Sequence, residues 1–108
     1  MNKNMQRVMI FATLNKSIKL FKKLGYVIDK NRLDEYPDRV IHHMYKYLSD
    51  SGRFHIRLYY KNKFTYFEIH RDDNFTETGH DIKVNDWKTR RELNRIERFF
   101  LDNGIGFI

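Results

Sequence analysis

Residues 53–71, RFHIRLYYKNKFTYFEIHR, carry aromatic and β-branched side chains alternating with polar ones on both sides of Lys61-Asn62-Lys63. Period-2 alternation broken by a short polar turn is the pattern of a β-hairpin. Phe54, Ile56, Leu58 and Tyr60 share one face with Thr65, Phe67 and Ile69 and are expected to form core. Arg53, His55, Arg57, Tyr59, Phe64, Tyr66, Glu68 and His70 share the other. A one-residue slip would carry the apolar set to the wrong side, so the loop must hold an even number of residues. An Asn62-Lys63 turn sets Arg57 opposite Glu68, Tyr59 opposite Tyr66, Ile56 opposite Ile69 and Leu58 opposite Phe67. A Lys61-Asn62 turn instead sets His55 opposite Glu68 and Ile56 opposite Phe67. Both leave the same side chains on each face.

Upstream of the hairpin, Pro37 suits the first turn of a helix over 37–49, with Val40, Ile41, Met44 and Leu48 as its buried stripe and Arg39, His42, His43 and Lys46 opposite. Residues 29–36 then read as a charged connection. Residues 7–12, RVMIFA, form an apolar run of strand length. Leu14, Ile18, Phe21 and Leu24 make one helical stripe, with Thr13 or Asn15 as cap and Gly25 as the left-handed stop. Lys16, Lys19 and Lys23 fall opposite that stripe. Residues 26–28 read as a second strand, which makes a β-α-β unit with parallel strands.

Downstream, residues 72–83 read as a polar loop around Gly79. Asn85 or Asp86 caps a last helix whose apolar side is Leu93, Ile96 and Phe100, and Asn103-Gly104 ends it before a strand at 105–108. The resulting expectation is an α+β fold in one domain over 1–108, ordered β-α-β-α-β-β-α-β, with a mixed sheet, the hairpin at its centre and three helices.

Composition narrows the function. The chain lacks cysteine, which removes disulfides and thiolate metal sites, and it has no apolar run long enough for a membrane helix. A soluble cytoplasmic protein is expected. Lys and Arg number 21 against 14 Asp and Glu, giving a net charge of +7. Such a balance favours a polyanionic partner. A single Ala and a single Pro beside abundant Lys, Asn, Ile, Phe and Tyr suggest an AT-rich coding sequence, as in some phages and low-GC bacteria.

Two residue sets point to nucleic acid, RNA or single-stranded DNA before duplex. On the open hairpin face, Tyr59, Phe64 and Tyr66 among Arg53, Arg57 and Lys61 offer rings for base stacking and cations for phosphates, provided that no helix covers that face. On the last helix, Lys88, Arg91, Arg95 and Arg98 recur at spacings of 3, 4 and 3, a basic stripe able to follow a phosphate backbone. The same aromatic and arginine residues, with Trp87, would serve a small regulatory or inhibitory protein that docks on a protein partner, or a homodimer through the hairpin. His42, His43, His55, His70 and His80 lack His-x-x-x-His spacing and cysteine partners, so no metal site or cofactor is expected. His55, Glu68 and His70 are the one acid-base group that would suit a metal-independent RNase. Phosphate loops and nucleophile elbows are absent, and a non-enzymatic role is the primary expectation.

Overall fold

A computed structural model describes residues 6–10, 12–49, 52–72, 82–83 and 86–107. Of the expected loop at 72–83, residues 73–81 lie outside the described residues, as do the chain start at 1–5 and the candidate cap Asn85, while residue 72 ends a strand and residues 82–83 form a short one. The elements run β1 (Gln6–Ile10), α1 (Leu14–Lys23), β2 (Val27–Tyr36), β3 (Arg39–Tyr47), β4 (Arg53–Lys61), β5 (Phe64–Asp72), β6 (Ile82–Lys83) and α2 (Trp87–Asp102). Strands β2 to β5 form an antiparallel meander. The sheet order is β1-β5-β4-β3-β2, with β6 also paired to β5.

The hairpin at the centre is as read, and the structure selects the Asn62-Lys63 turn: Arg57 faces Glu68, Tyr59 faces Tyr66 and Ile56 faces Ile69. Both turn residues have positive φ, 51° and 68°. That geometry matches the right-handed strand twist, which is why two-residue loops adopt it. Strand β1 adds to the far side of β5 with Val8 opposite Phe67, and β3 adds to β4 with Met44 opposite Ile56.

Several expectations need correction. Residues 37–49 are not a helix: Pro37 and Asp38 turn between β2 and β3, with Tyr36 paired to Arg39. Ile41, His43, Met44 and Tyr45 are all buried, so β3 is an interior strand covered on both faces. Both-sided burial removes the alternation that marks a half-exposed strand. The supposed connection at 29–36 belongs to β2, a ten-residue edge strand beginning at Val27. It was masked by a bulge in which Asp29, Lys30, Asn31 and Arg32 lie opposite the single residue His43. Strands β1 and β2 do run parallel in direction, but they occupy opposite edges and do not pair. The expected strand at 105–108 reduces to one bridge, Ile10 with Phe107. The described residues therefore contain two helices, not three, and every strand pairing is antiparallel.

Because β1 and β2 lie at opposite edges, α1 must cross the sheet between them. Thr13 caps it by accepting from the Lys16 amide, 3.1 Å, and Gly25 at φ 99° releases the chain into β2. Leu20, Phe21 and Leu24 enter the core, with Leu14 and Ile18 at its margin. The last helix packs on the same sheet face through Leu93, Ile96 and Phe100. Phe21 sits at the centre, its ring 5.2 Å from Phe67, 5.0 Å from Phe100 and 5.6 Å from Tyr26 between centroids. Edge and tilted contacts of this kind add to the free energy of burying the rings. Phe54, Ile56, Leu58, Thr65, Phe67 and Ile69 form the sheet side of this layer, while Tyr60 reaches its exposed rim.

Candidate functional site

Two regions gather the chemistry, one on each face of the sheet. On the helix face, Asp86 begins α2, and its Oδ2 accepts from Arg71 Nη2 at 2.7 Å and Nε at 3.1 Å, while Oδ1 accepts from the Thr89 hydroxyl. These bonds fix the start of α2 to the end of β5. Burial pushes the Asp86 carboxyl up, but the Thr89 and Arg71 bonds outweigh it and hold it below the usual range.

With Leu93, Ile96 and Phe100 turned into the core, the basic side of α2 borders a groove of about 820 Å³. Lys88, Arg91, Arg95 and Arg98 all line it, facing Lys46 from β3, Phe54 from β4 and Leu48 just after β3. Its one acid is Glu92, buried at the base. Glu92 Oε2 accepts from the Tyr26 hydroxyl at 2.6 Å and from Lys46 Nζ at 3.1 Å, and Oε1 lies 3.5 Å from Arg95. Burial and then the Glu92 charge raise the Tyr26 phenol well above its ordinary value, so it stays a donor. Five cations against one acid leave the groove strongly positive. Trp87 stands exposed at its end, 61% accessible, with Lys88 Nζ 5.9 Å from the ring centroid.

On the other face of the sheet, the hairpin residues are drawn into contacts of their own. Arg53 lies 4.0 Å over the Tyr45 ring and donates from Nε to Asp72 at 3.2 Å. Tyr59 is buried and stacked on Tyr66, with ring centroids 4.6 Å apart and planes within 8°. Burial, followed by a hydrogen bond to Glu68, raises the Tyr59 phenol. Arg57 packs 5.7 Å from the Tyr59 ring, and Lys61, more open, lies 3.5 Å from Asp38. Thus the four sequence-derived cations of α2 converge in one groove, while the five hairpin residues lie on the opposite face, with Arg53 and Tyr59 largely withdrawn from solvent.

The same face holds a row of imidazoles, in which His55 and His70, grouped already by the hairpin pattern, are joined by His43. The bulge in β2 brings Asp34 to His43 of β3, Oδ2 to Nε2, at 2.8 Å. His43 Nδ1 is 2.8 Å from His55 Nε2 on β4, and His55 Nδ1 is 3.1 Å from His70 Nε2 on β5. His70 Nε2 also lies 2.9 Å from Asp72 Oδ1. All three rings are fully buried. Burial lowers the His43 pKa despite the Asp34 contact, and drives that of His55 far down. Both rings are therefore neutral and each offers a bare nitrogen. Asp34 is held low chiefly by its bond to His43. His55, His70 and Asp72 together present three donor atoms within 4.8 Å of one another, the described set best placed to hold a metal ion. Glu68 is buried beside this row and opposite Arg57, so the acid-base trio read from the sequence is brought onto one face but lies under the surface.

His43 was expected on a solvated helix side; its burial follows from β3 being an interior strand. His42, on the helix face opposite Leu58, is half-buried and its pKa is lowered by that burial. The signal in the sequence that could have revealed the row is His70-x-Asp72 on a strand paired in register with His55. Comparison with known protein families, with characterised proteins and with solved structures gives no match. No helix among the described residues is long and apolar enough to cross a membrane.

Proposed function

We propose that the α2 groove binds single-stranded nucleic acid, RNA or DNA, without catalysing its cleavage. The observation that carries this reading is the convergence of Lys46, Lys88, Arg91, Arg95 and Arg98 in one groove with Trp87 exposed at its end. Cations at helical spacing along 16 residues supply a track for phosphates and release counterions on binding. Trp87 supplies a face on which a base can stack, and Phe54 and Leu48 give the groove an apolar wall. An unpaired strand can turn its bases toward such a surface, whereas a duplex keeps them stacked inside. The hairpin face is assigned a lesser part, carried by its half-buried members Arg57, Lys61 and Tyr66, because Arg53 is paired with Asp72 and Tyr59 is buried.

Anisotropy of labelled single-stranded RNA, single-stranded DNA and duplex DNA, at about 50 and 200 mM salt, tests the proposal. The expected result is a single-strand preference and a steep fall with salt. Replacing Arg91 and Arg95 together by Ala should weaken binding about equally for all sequences and reduce the salt slope by about 1.4. Trp87→Ala should cost about 1–3 kcal/mol of affinity with the slope retained. Unchanged affinity and slope in the arginine variant would remove the groove from consideration. Aromatic and arginine residues are also protein-interface anchors, so a stoichiometric protein complex that survives nuclease and high salt would instead favour a protein partner.

A further inference from the structure

The contact between His70 and its neighbours is not balanced by hydrogen bonds. Asp34 accepts from His43 Nε2–H, which leaves His43 Nδ1 bare to accept from His55 Nε2–H. A neutral His55 therefore carries no hydrogen on Nδ1, and that lone pair points at His70 Nε2, 3.1 Å away. Asp72 Oδ1 points at the same nitrogen from 2.9 Å. One nitrogen carries at most one hydrogen, and it faces two acceptors. Asp72 Oδ1 is fully buried and finds no hydrogen-bond donor among the described residues, despite its closeness to His70.

A cation among the three atoms resolves the conflict, because His55 Nδ1, His70 Nε2 and Asp72 Oδ1 can then all present lone pairs. Ligands bonded to a metal at about 2.0–2.2 Å stand about 2.8–3.1 Å apart at adjacent octahedral positions and about 3.3–3.6 Å apart in a tetrahedron. The observed separations of 2.9 and 3.1 Å match adjacent octahedral positions, and all three donor atoms lie within 4.8 Å of one another. The surroundings of His55 and Asp72 match as well, while His70 Nδ1 is buried with no hydrogen-bond partner among the described residues. His55 hands its other N–H to His43, which hands its own to Asp34, and Asp72 Oδ2 accepts from Arg53 Nε at 3.2 Å. Ligating histidines and carboxylates are regularly held by such outer hydrogen bonds, which fix the tautomer and raise the basicity of the ligand.

We propose that His55, His70 and Asp72 bind a divalent transition-metal ion, with Zn²⁺ the reference case, through His55 Nδ1, His70 Nε2 and one Asp72 oxygen. Two imidazoles and one carboxylate suit zinc or ferrous iron and disfavour Ca²⁺ and Mg²⁺, which take oxygen ligands. Three protein donors leave coordination positions for a small exchangeable ligand, the composition of reactive sites more than of closed structural ones. The ion lies on the sheet face opposite the α2 groove, so the proposal stands independently of nucleic-acid binding.

The test uses the full chain stripped with a chelator and titrated with ZnCl₂, and separately with CoCl₂, following heat of binding and the visible cobalt spectrum. One ion per chain is expected. Asp72→Asn and His70→Ala should each weaken binding at least about a hundredfold, and His43→Ala about ten- to a hundredfold through loss of the outer hydrogen bond. His42→Ala should leave affinity unchanged. Imidazole ¹⁵N spectra of the unaltered protein remove dependence on variants that fail to fold. On adding Zn²⁺, the resonances of His55 Nδ1 and His70 Nε2 should move to metal-bound positions while His43 keeps both nitrogens free of metal. Absence of stoichiometric binding, or shifts confined to His42 or His80, would overturn the assignment.

Discussion

Tyr26, between α1 and β2, shows how one buried contact couples the entry to the meander to α2. Its hydroxyl donates 2.6 Å to Glu92, which also holds Lys46, so a single carboxylate joins β2, β3 and the groove. Hydrogen bonds to a charged acceptor contribute about 1.5–3 kcal/mol, and Tyr26→Phe should destabilise the fold by about that amount at neutral pH. The pH dependence has a definite sign. Burial and the Glu92 charge raise the folded phenol above its ordinary value of 10.0, so the folded state holds this proton more tightly than the unfolded chain does. Its stabilisation is complete below pH 10 and is lost as the pH rises through the folded value. Urea unfolding of the two proteins between pH 7 and 11 should show their stabilities converging above pH 10. A gap that stays constant to pH 11 would mean that the phenol is not the linked group.

At the scale of elements, the turn at Asn62-Lys63 carries the sharpest prediction. Both residues adopt positive φ, and Asn tolerates that region while a Lys side chain is strained in it. Lys63→Gly relieves about 1 kcal/mol of strain, against part of which stands the greater freedom of glycine in the unfolded chain. A net stabilisation of about 0.5 kcal/mol is expected, read as a higher urea midpoint at unchanged slope. A lower midpoint would show that Lys63 contributes a contact worth more than the strain. This hairpin was legible in the sequence because one face is apolar and the turn is short. Both helices declared themselves equally well, through Thr13, Gly25, Asp86 and the stripes at Phe21 and Ile96. Strand β3 was not legible, since Val40, Ile41, Met44 and Leu48 fit a helical stripe, and burial of His43 and Tyr45 on its other face erased the alternation. Its neighbour β2 was hidden by charge, as a bulged edge strand needs few apolar residues. Of the imidazole row, the hairpin alternation placed His55 and His70 on one face, but His43 and Asp34 could not be added, because His43 stands 12 residues before His55 and Asp34 stands 9 before His43, and both meet the row only through strand pairing. The α2 stripe, by contrast, was visible as spacing, though its groove needed Lys46 and Phe54 from strands that only the fold places beside it.

Among the described residues of the whole molecule, both helices lie on one side of the sheet, and two groups of cations lie there with them. Lys16, Lys19, Lys22 and Lys23 of α1 are all exposed and the helix carries no acid, while the α2 groove sets five cations against Glu92. The opposite face consumes much of its charge internally, through pairs such as Arg53 with Asp72 and Lys61 with Asp38. A polyanion approaching from solution would therefore be drawn toward the helical side before it contacts the groove. The two sets of cations should then separate kinetically. Charges outside an interface act on encounter and are screened over about 8 Å at physiological salt, whereas groups inside it govern dissociation. Lys19→Glu with Lys23→Glu lowers the net charge from +7 to +3 without altering any groove residue. Stopped-flow binding of a labelled single strand should show a several-fold slower association at about 50 mM salt, a difference that shrinks by about 200 mM, with dissociation unchanged. Arg91→Ala with Arg95→Ala should instead speed dissociation at both salts. Faster dissociation in the lysine variant would place α1 in contact with the strand and extend the binding surface beyond the groove. Equal association rates at low salt would show that the asymmetry of charge does not steer the ligand.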